Sequence, residues 1–145
     1  MTLIETLKEN RLMQTEREIN SFETALAEIA NNPNEEDLPK YHLILDDRCQ
    51  QPEVMFGLVH FLESFEPETQ LQAFIKVIPQ LALDAPEWTK ILHNRILNDE
   101  FACNTYLKIL RSLNSEKPHF IYYLLEESAA NHLKRELISM SAANQ

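Results

Sequence analysis

Residues 52–65 read PEVMFGLVHFLESF, a nearly continuous apolar stretch. Pro52 suits the first turn of a helix, because its φ is already helical and its missing N–H has no intrahelical partner there. The apolar residues that follow cover almost the whole circumference of such a helix, which is typical of a helix at the centre of a fold. Gly57, His60 and Ser64 form the narrow remaining stripe. Glycine inside a helix costs about 1 kcal/mol relative to alanine, so we expect Gly57 to provide room for a closely packed neighbouring helix.

The rest of the chain is also predicted to be helical. Glycine occurs once and proline seven times, and Leu, Ile, Ala and Glu recur at spacings of three and four. Thr15 and Glu18 have the spacing of a capping box, and Pro79 is expected to kink or end its helix. The expected helical segments start near Thr15, Glu36, Pro52, Glu66, Asp84, Asn98, Ser115 and Ala129.

These segments predict an all-α fold, a compact array of about eight antiparallel helices. Both a bundle and a short stack of helical hairpins fit the pattern. The length of 145 residues predicts one domain, 1–145, with residues 141–145 frayed. Phe101, Phe120 and Leu124 are expected on the inner faces of their helices.

Charge is distributed unevenly along the chain. Residues 1–70 carry 15 Asp and Glu against 5 Lys and Arg, whereas residues 71–145 carry 8 of each kind. An acidic surface repels nucleic acid and anionic membranes and accelerates the capture of a basic partner. The alternative is an acidic face that serves solubility alone.

Motifs for catalysis and cofactor binding are missing from the sequence. A chain with one glycine cannot contain GxxxxGK[ST], GxGxxG or GxSxG. The five histidines show no HxxxH or HExxH spacing. We therefore expect a protein that is not an enzyme, with no catalytic residue, no cofactor and no metal.

Two adjacent carboxylates, Asp46 and Asp47, follow the predicted helix that starts near Glu36. Paired carboxylates can act as acid and base. A carboxylate at the negative end of a helix dipole needs compensation, which Arg48 or Lys40 would supply in a solvated turn. A basic group of another molecule would instead make the pair a docking feature. All three interpretations are open at this point.

The sequence also bears on the compartment. Cys49 and Cys103 lie far apart and outside any CxxC motif, which indicates free thiols in a reducing environment. No apolar run approaches the roughly 18 residues that cross a bilayer, and the start MTLIETLKENR is polar. We expect a cytoplasmic protein with no membrane partner, and the sequence carries no signal for a homo-oligomer.

Several runs together resemble the immunity protein 30 family of bacterial polymorphic toxin and contact-dependent inhibition systems. The resemblance extends over residues 3–125. The runs that carry it are LKENR (7–11), FETALAEIA (22–30), EEDL (35–38), LILDD (43–47), EVMFGLVHFLESF (53–65) and WTKILHNRILND (88–99).

The resemblance implies a cytoplasmic antitoxin that binds and neutralises a toxin domain encoded beside it. Many such toxin domains are nucleases with basic clefts, so an acidic protein would block them by occlusion. The acids that flank the shared runs are then the candidate toxin contacts: Glu35, Glu36, Asp37, Asp46, Asp47, Glu53, Glu63, Glu66 and Glu68. The alternative function is a helical-repeat adaptor without a toxin partner.

Overall fold

The computed structural model describes residues 1–143, and the side chains of residues 1–135. Over this range the chain forms eight α-helices and one short 3-10 helix, with no strand. The α-helices are α1 (Leu3–Asn10), α2 (Glu16–Asn31), α3 (Leu38–His42), α4 (Pro52–Glu63), α5 (Pro67–Asp84), α6 (Pro86–Asn98), α7 (Glu100–Glu116) and α8 (Phe120–Ala143). The predicted all-α class with about eight helices is confirmed. The choice between bundle and hairpin stack stays a prediction.

The starts of α2 and α4 agree with the sequence. Thr15 caps α2 by accepting a hydrogen bond from the Glu18 N–H at 3.1 Å. The predicted capping box is wrong in its second half, because the Glu18 carboxylate accepts from the Gln14 N–H instead. A complete capping box lies at α1, between Thr2 and Glu5.

Other boundaries differ from the predictions. The segment that starts near Glu36 is shorter than expected, with a 3-10 helix at Glu35–Asp37 followed by the five residues of α3. Helix α5 does not end at Pro79, because buried apolar residues on both sides, among them Ile78 and Leu81, hold it in place. A kink at Pro79 stays a prediction. Asp99 rather than Asn98 caps α7, since its carboxylate accepts from the Ala102 N–H.

The end of the chain also differs from the sequence pattern. Helix α8 is one helix from Phe120 to Ala143, where two segments, near Ser115 and Ala129, were expected. Of the residues predicted to be frayed, 141–143 belong to α8. Residues 144 and 145 lie outside the described residues.

The chain divides into two compact units, Met1–Ile91 and Leu92–Gln145. In the first unit, the fully buried side chains include Phe22 of α2, Leu58 and Leu62 of α4, and Phe74 of α5. Five residues of α4 are buried, as the apolar pattern predicted. Among the described helices, none has both the length and the apolar character of a bilayer-spanning segment. The single-domain assignment stays a prediction.

In the second unit, α7 buries a stripe that runs from Cys103 through Tyr106 and Leu110. Phe101 lies on the other side of that helix and is 68% exposed, because two residues before Cys103 correspond to a rotation of about 200°. Phe120 and Leu124 are also exposed. The prediction that these three side chains face inward is therefore wrong.

Candidate functional site

Asp46 is buried and neutralised by arginines of its own chain. Its carboxylate accepts from the Arg48 backbone N–H at 2.9 Å, from Arg48 Nε at 3.1 Å and from Arg48 Nη2 at 2.8 Å. Arg11 Nε lies 3.4 Å from the same carboxylate. Hydrogen bonding to the Arg48 side chain holds the pKa of Asp46 below its ordinary value. The Asp46 charge therefore has intramolecular compensation, from Arg48 as the sequence suggested and from Arg11, which the sequence did not suggest.

Asp47 differs from Asp46 in that it caps the start of α6. Its two carboxylate oxygens accept from the backbone N–H groups of Glu87 at 2.9 Å and Trp88 at 3.1 Å. Ala85 precedes α6 and has no side-chain acceptor, so Asp47 supplies the missing cap although it lies 40 residues before Glu87 in the chain. The carboxylate also lies at the positive end of the α6 dipole, where a negative charge is stabilised. Asp46 and Asp47 thus point to separate partners and do not form a reactive pair.

The other seven candidate acids lie in several places. Asp37 is half-buried, with its carboxylate 3.8 Å from Lys40 Nζ. Glu35 and Glu36 line a small pocket of about 220 Å³ that Lys76 of α5 also lines. The remaining acids of this set are exposed: Glu53, Glu63, Glu66 and Glu68. Glu53 lines a groove other than the small pocket of Glu35 and Glu36, and this groove is described below.

A groove runs between α2 and α4, with a volume of about 770 Å³. We call it the α2–α4 groove. Helix α2 contributes Glu23, Leu26, Ala27 and Ala30, and helix α4 with its C-cap Ser64 contributes Glu53, Val54, Gly57, His60, Phe61 and Ser64. Pro33, just after α2, completes the lining. Each helix contributes residues three and four apart, so the groove is bordered by one continuous stripe of each helix.

The two helices run in the same direction along the groove. Near their N-terminal ends, the Gln50 N–H donates to the Leu12 carbonyl at 2.8 Å. Near their C-terminal ends, Tyr41 links the two, because its hydroxyl accepts from the Asn34 N–H at 3.3 Å while its ring contacts Phe61 edge to face at 5.2 Å. This alignment puts Glu23 and Glu53 at the same end of the groove, and we call that end the acidic end.

Gly57 lies exposed in this groove. A Cβ built on Gly57 would lie 3.6 Å from Leu26 Cδ2, which is an ordinary van der Waals distance. Alanine would therefore fit, and the expected role of Gly57 in close packing within the chain is wrong. His60 and Ser64, on the same stripe of α4, are also exposed.

Sequence reasoning missed the contribution of Glu23 and of the small residues of α2. The signal was present, since the exposed Ala27 and Ala30 lie at i+4 and i+7 from Glu23. The pairing of α2 with α4 was not visible, because it depends on contacts between residues far apart in sequence, such as Gln50 with Leu12.

His42 is a buried residue of the core. Since the Leu38 carbonyl oxygen can only accept, His42 Nδ1 carries a proton and donates to it at 2.8 Å. Burial lowers the pKa of His42 to about 4. The imidazole is therefore neutral at pH 7 and contributes to the interior of the first unit.

The remaining groups with possible reactivity lie apart from one another. Cys49 is half-buried and Cys103 is buried, and burial raises the pKa of both thiols. A raised pKa keeps a cysteine in its unreactive thiol form. In the described part of the chain, no three His, Cys, Asp or Glu side chains are grouped so that they could hold a metal ion.

The two units differ in charge. The unit Met1–Ile91 contains 17 Asp and Glu against 7 Lys and Arg, whereas the sequence from Leu92 to Gln145 contains 6 of each kind. Four of the seven cations of the first unit, Arg11, Lys40, Arg48 and Lys90, already form ion pairs with Asp37, Asp46 and Glu87. The net charge of −10 therefore belongs to the unit that contains the α2–α4 groove.

Comparison with known families confirms the resemblance seen in the sequence. A model of the Immunity protein 30 family matches residues 9–106. This span contains all of α2 to α6, and with them the groove and the Asp46–Asp47 pair. Comparison with curated proteins and with solved structures gives no significant match. Because the matched residues make up well over half of its length, the chain belongs to the Immunity protein 30 family.

Proposed function

We propose that this protein is an antitoxin that binds the C-terminal domain of a cognate polymorphic toxin and neutralises it by occlusion. The toxin domain is basic and is a nuclease, and the two proteins meet in the bacterial cytoplasm. No catalytic step is needed. Membership of the family supports the toxin partner, and the two free thiols suit a reducing compartment.

The observation that carries this proposal is that the net negative charge of the chain lies in the unit Met1–Ile91. A nuclease binds phosphates with Lys and Arg side chains, so its cleft carries the opposite charge. Complementary potentials steer two proteins together and raise the association rate constant by one or more orders of magnitude. Fast capture matters for a protein that has to intercept a toxin before the toxin acts.

The exposed acids of this unit supply the proposed contacts. Glu35, Glu36, Glu53, Glu63, Glu66 and Glu68 are all exposed, and Asp37 is half-buried beside Lys40. Carboxylates at such positions can pair with Lys and Arg of the toxin without leaving a buried charge uncompensated. Asp46 and Asp47 have partners within the chain, so we assign them to the support of this surface rather than to the contact.

Coexpression tests the proposal directly. The toxin domain encoded immediately upstream of the gene is expressed in bacteria with and without this protein, and survival and complex formation are measured. We expect protection and a stable complex, and the purified complex should no longer degrade nucleic acid. Failure to protect and to bind would overturn the antitoxin assignment for that pair. Binding to a toxin without nuclease activity would overturn the nuclease assignment alone.

A further inference from the structure

We infer that the α2–α4 groove receives an amphipathic helix of the toxin domain. The apolar face of that helix packs over Leu26, Gly57 and Phe61, and its Lys or Arg side chains lie at the acidic end with Glu23 and Glu53. This inference rests on the proposed function and adds to it the place and the chemistry of the contact.

The shape of the groove fits an elongated occupant. The lining of α4 extends from Glu53 to Ser64, roughly three helical turns or about 16 Å. The lining of α2 extends from Glu23 to Ala30 alongside it. Because Ala27, Ala30 and Gly57 are exposed, solvent reaches the groove along this length. A helix laid lengthwise between α2 and α4 would contact both stripes at once.

The walls of the groove favour a helix over an extended segment. Both walls are α-helices, whose N–H and C=O groups are hydrogen-bonded within the helix. They offer apolar side chains and carboxylates, but no free edge for main-chain pairing. An extended segment buried here would leave its own backbone groups without partners, whereas a helix satisfies them internally.

Gly57 leaves the backbone of α4 uncovered in the groove, and glycine at this position makes the helix less stable than alanine would. Alanine is more favourable than glycine inside a helix, and the 3.6 Å distance to Leu26 shows that a Cβ would be accommodated. Nothing in the described part of the chain therefore requires glycine at this exposed position. A bare backbone at Gly57, opposite the small Ala27 and Ala30, lets the axis of a third helix approach closely.

The acidic residues of the groove determine which charge the bound helix carries. Glu23 and Glu53 are exposed at one end of the groove, within a unit that has ten more acidic than basic side chains. An acidic helix would be repelled at this end, whereas Lys or Arg near one end of the incoming helix would be attracted. The helix is therefore basic at the end that meets Glu23 and Glu53.

The inference is tested with a variant that fills the groove and leaves its charges unchanged. Gly57→Leu places a larger side chain in the groove, and Asn20→Leu adds the same side chain at an exposed position of α2 outside it. The dissociation constant of each variant for the upstream-encoded toxin domain is measured by titration calorimetry. We expect Gly57→Leu to weaken binding at least 30-fold and Asn20→Leu to change it less than threefold. Glu23→Lys should also weaken binding, and more strongly at low salt.

Thermal midpoints separate loss of the site from loss of the fold. Gly57→Ala and Gly57→Leu should melt at or above the temperature of the wild type, because both residues favour the helix. If the wild type binds the toxin and Gly57→Leu binds it with the same dissociation constant, the groove assignment is overturned and the proposed function stays intact. A wild type that does not bind would overturn both. A wild-type dimer that Gly57→Leu converts to monomer would show that a second copy occupies the groove, which also overturns the assignment.

Discussion

At the scale of single residues, neighbouring carboxylates serve different purposes. Asp46 is 6% exposed and binds Arg48 and Arg11, whereas Asp47 is exposed and caps a distant helix. The sequence could suggest Arg48 as a partner because it is two residues away. Arg11 carries no such signal, since it comes next to Asp46 only through the packing of the first unit. The sequence alone therefore allows three interpretations of the pair.

His42 is predicted to make the stability of the first unit depend on pH. Its folded-state pKa of about 4 lies below the ordinary value of 6.5. The unfolded chain therefore binds the extra proton between these values, and the free energy of unfolding decreases as the pH falls from about 6.5 toward 4. One such group contributes a slope of about 1.4 kcal/mol per pH unit at most.

Replacement of the imidazole checks this prediction. His42→Leu should reduce the slope of unfolding free energy against pH by roughly 1 kcal/mol per pH unit between pH 4.5 and 6.5. His93, whose pKa is also lowered by burial, contributes to the slope that remains. Urea unfolding at several pH values gives the slope, and His60→Gln at an exposed position is the matched control. Equal slopes for wild type and His42→Leu would contradict the prediction.

At the scale of helices, local signals predicted the starts that depend on neighbouring residues. Thr15 and Pro52 act within a few residues of their own position, and the structure confirms both starts. The passage of α5 through Pro79 could not be predicted in this way. It depends on tertiary burial on both sides of the proline, which outweighs a local penalty of about 3 kcal/mol.

The start of α6 is predicted to depend on Asp47. Asp47→Ala removes the acceptors of the Glu87 and Trp88 N–H groups, and loss of a helix cap destabilises a protein by about 1 to 2 kcal/mol. Asp47→Asn keeps one acceptor and should recover part of this loss. Chemical unfolding gives the free energies, and hydrogen exchange at Glu87 and Trp88 reports the α6 start itself. Unchanged exchange at these two amides in Asp47→Ala would contradict this role.

At the scale of the whole chain, the sequence predicted the acidic half but not the groove. Charge can be counted along a chain, so the surplus of acids before residue 70 was visible at once. The groove arises because two helices that are not consecutive lie side by side in the same direction. The linkage of their ends through Leu12 with Gln50 and through Tyr41 produces this arrangement, and no local pattern encodes it. Glu53 was therefore a predicted candidate, whereas Glu23 was not.

The central claim is that the acid surplus of the first unit draws in a basic toxin, and association kinetics test it most directly. Two triple variants change the net charge equally: Glu35, Glu66 and Glu68 to Lys in the first unit, and Glu100, Glu116 and Glu127 to Lys in the second. All six side chains are exposed. We measure the association rate constant with the toxin domain by stopped flow at low and at physiological ionic strength.

The first triple variant should associate about tenfold or more slowly than the wild type at low salt, with a smaller difference at physiological salt. The association rate constant of the second triple variant should remain within about threefold of the wild-type value, because its substitutions lie in the unit that has no surplus of acidic residues. Equal slowing by both variants, or a larger effect of the second, would contradict the claim that the unit Met1–Ile91 attracts the toxin.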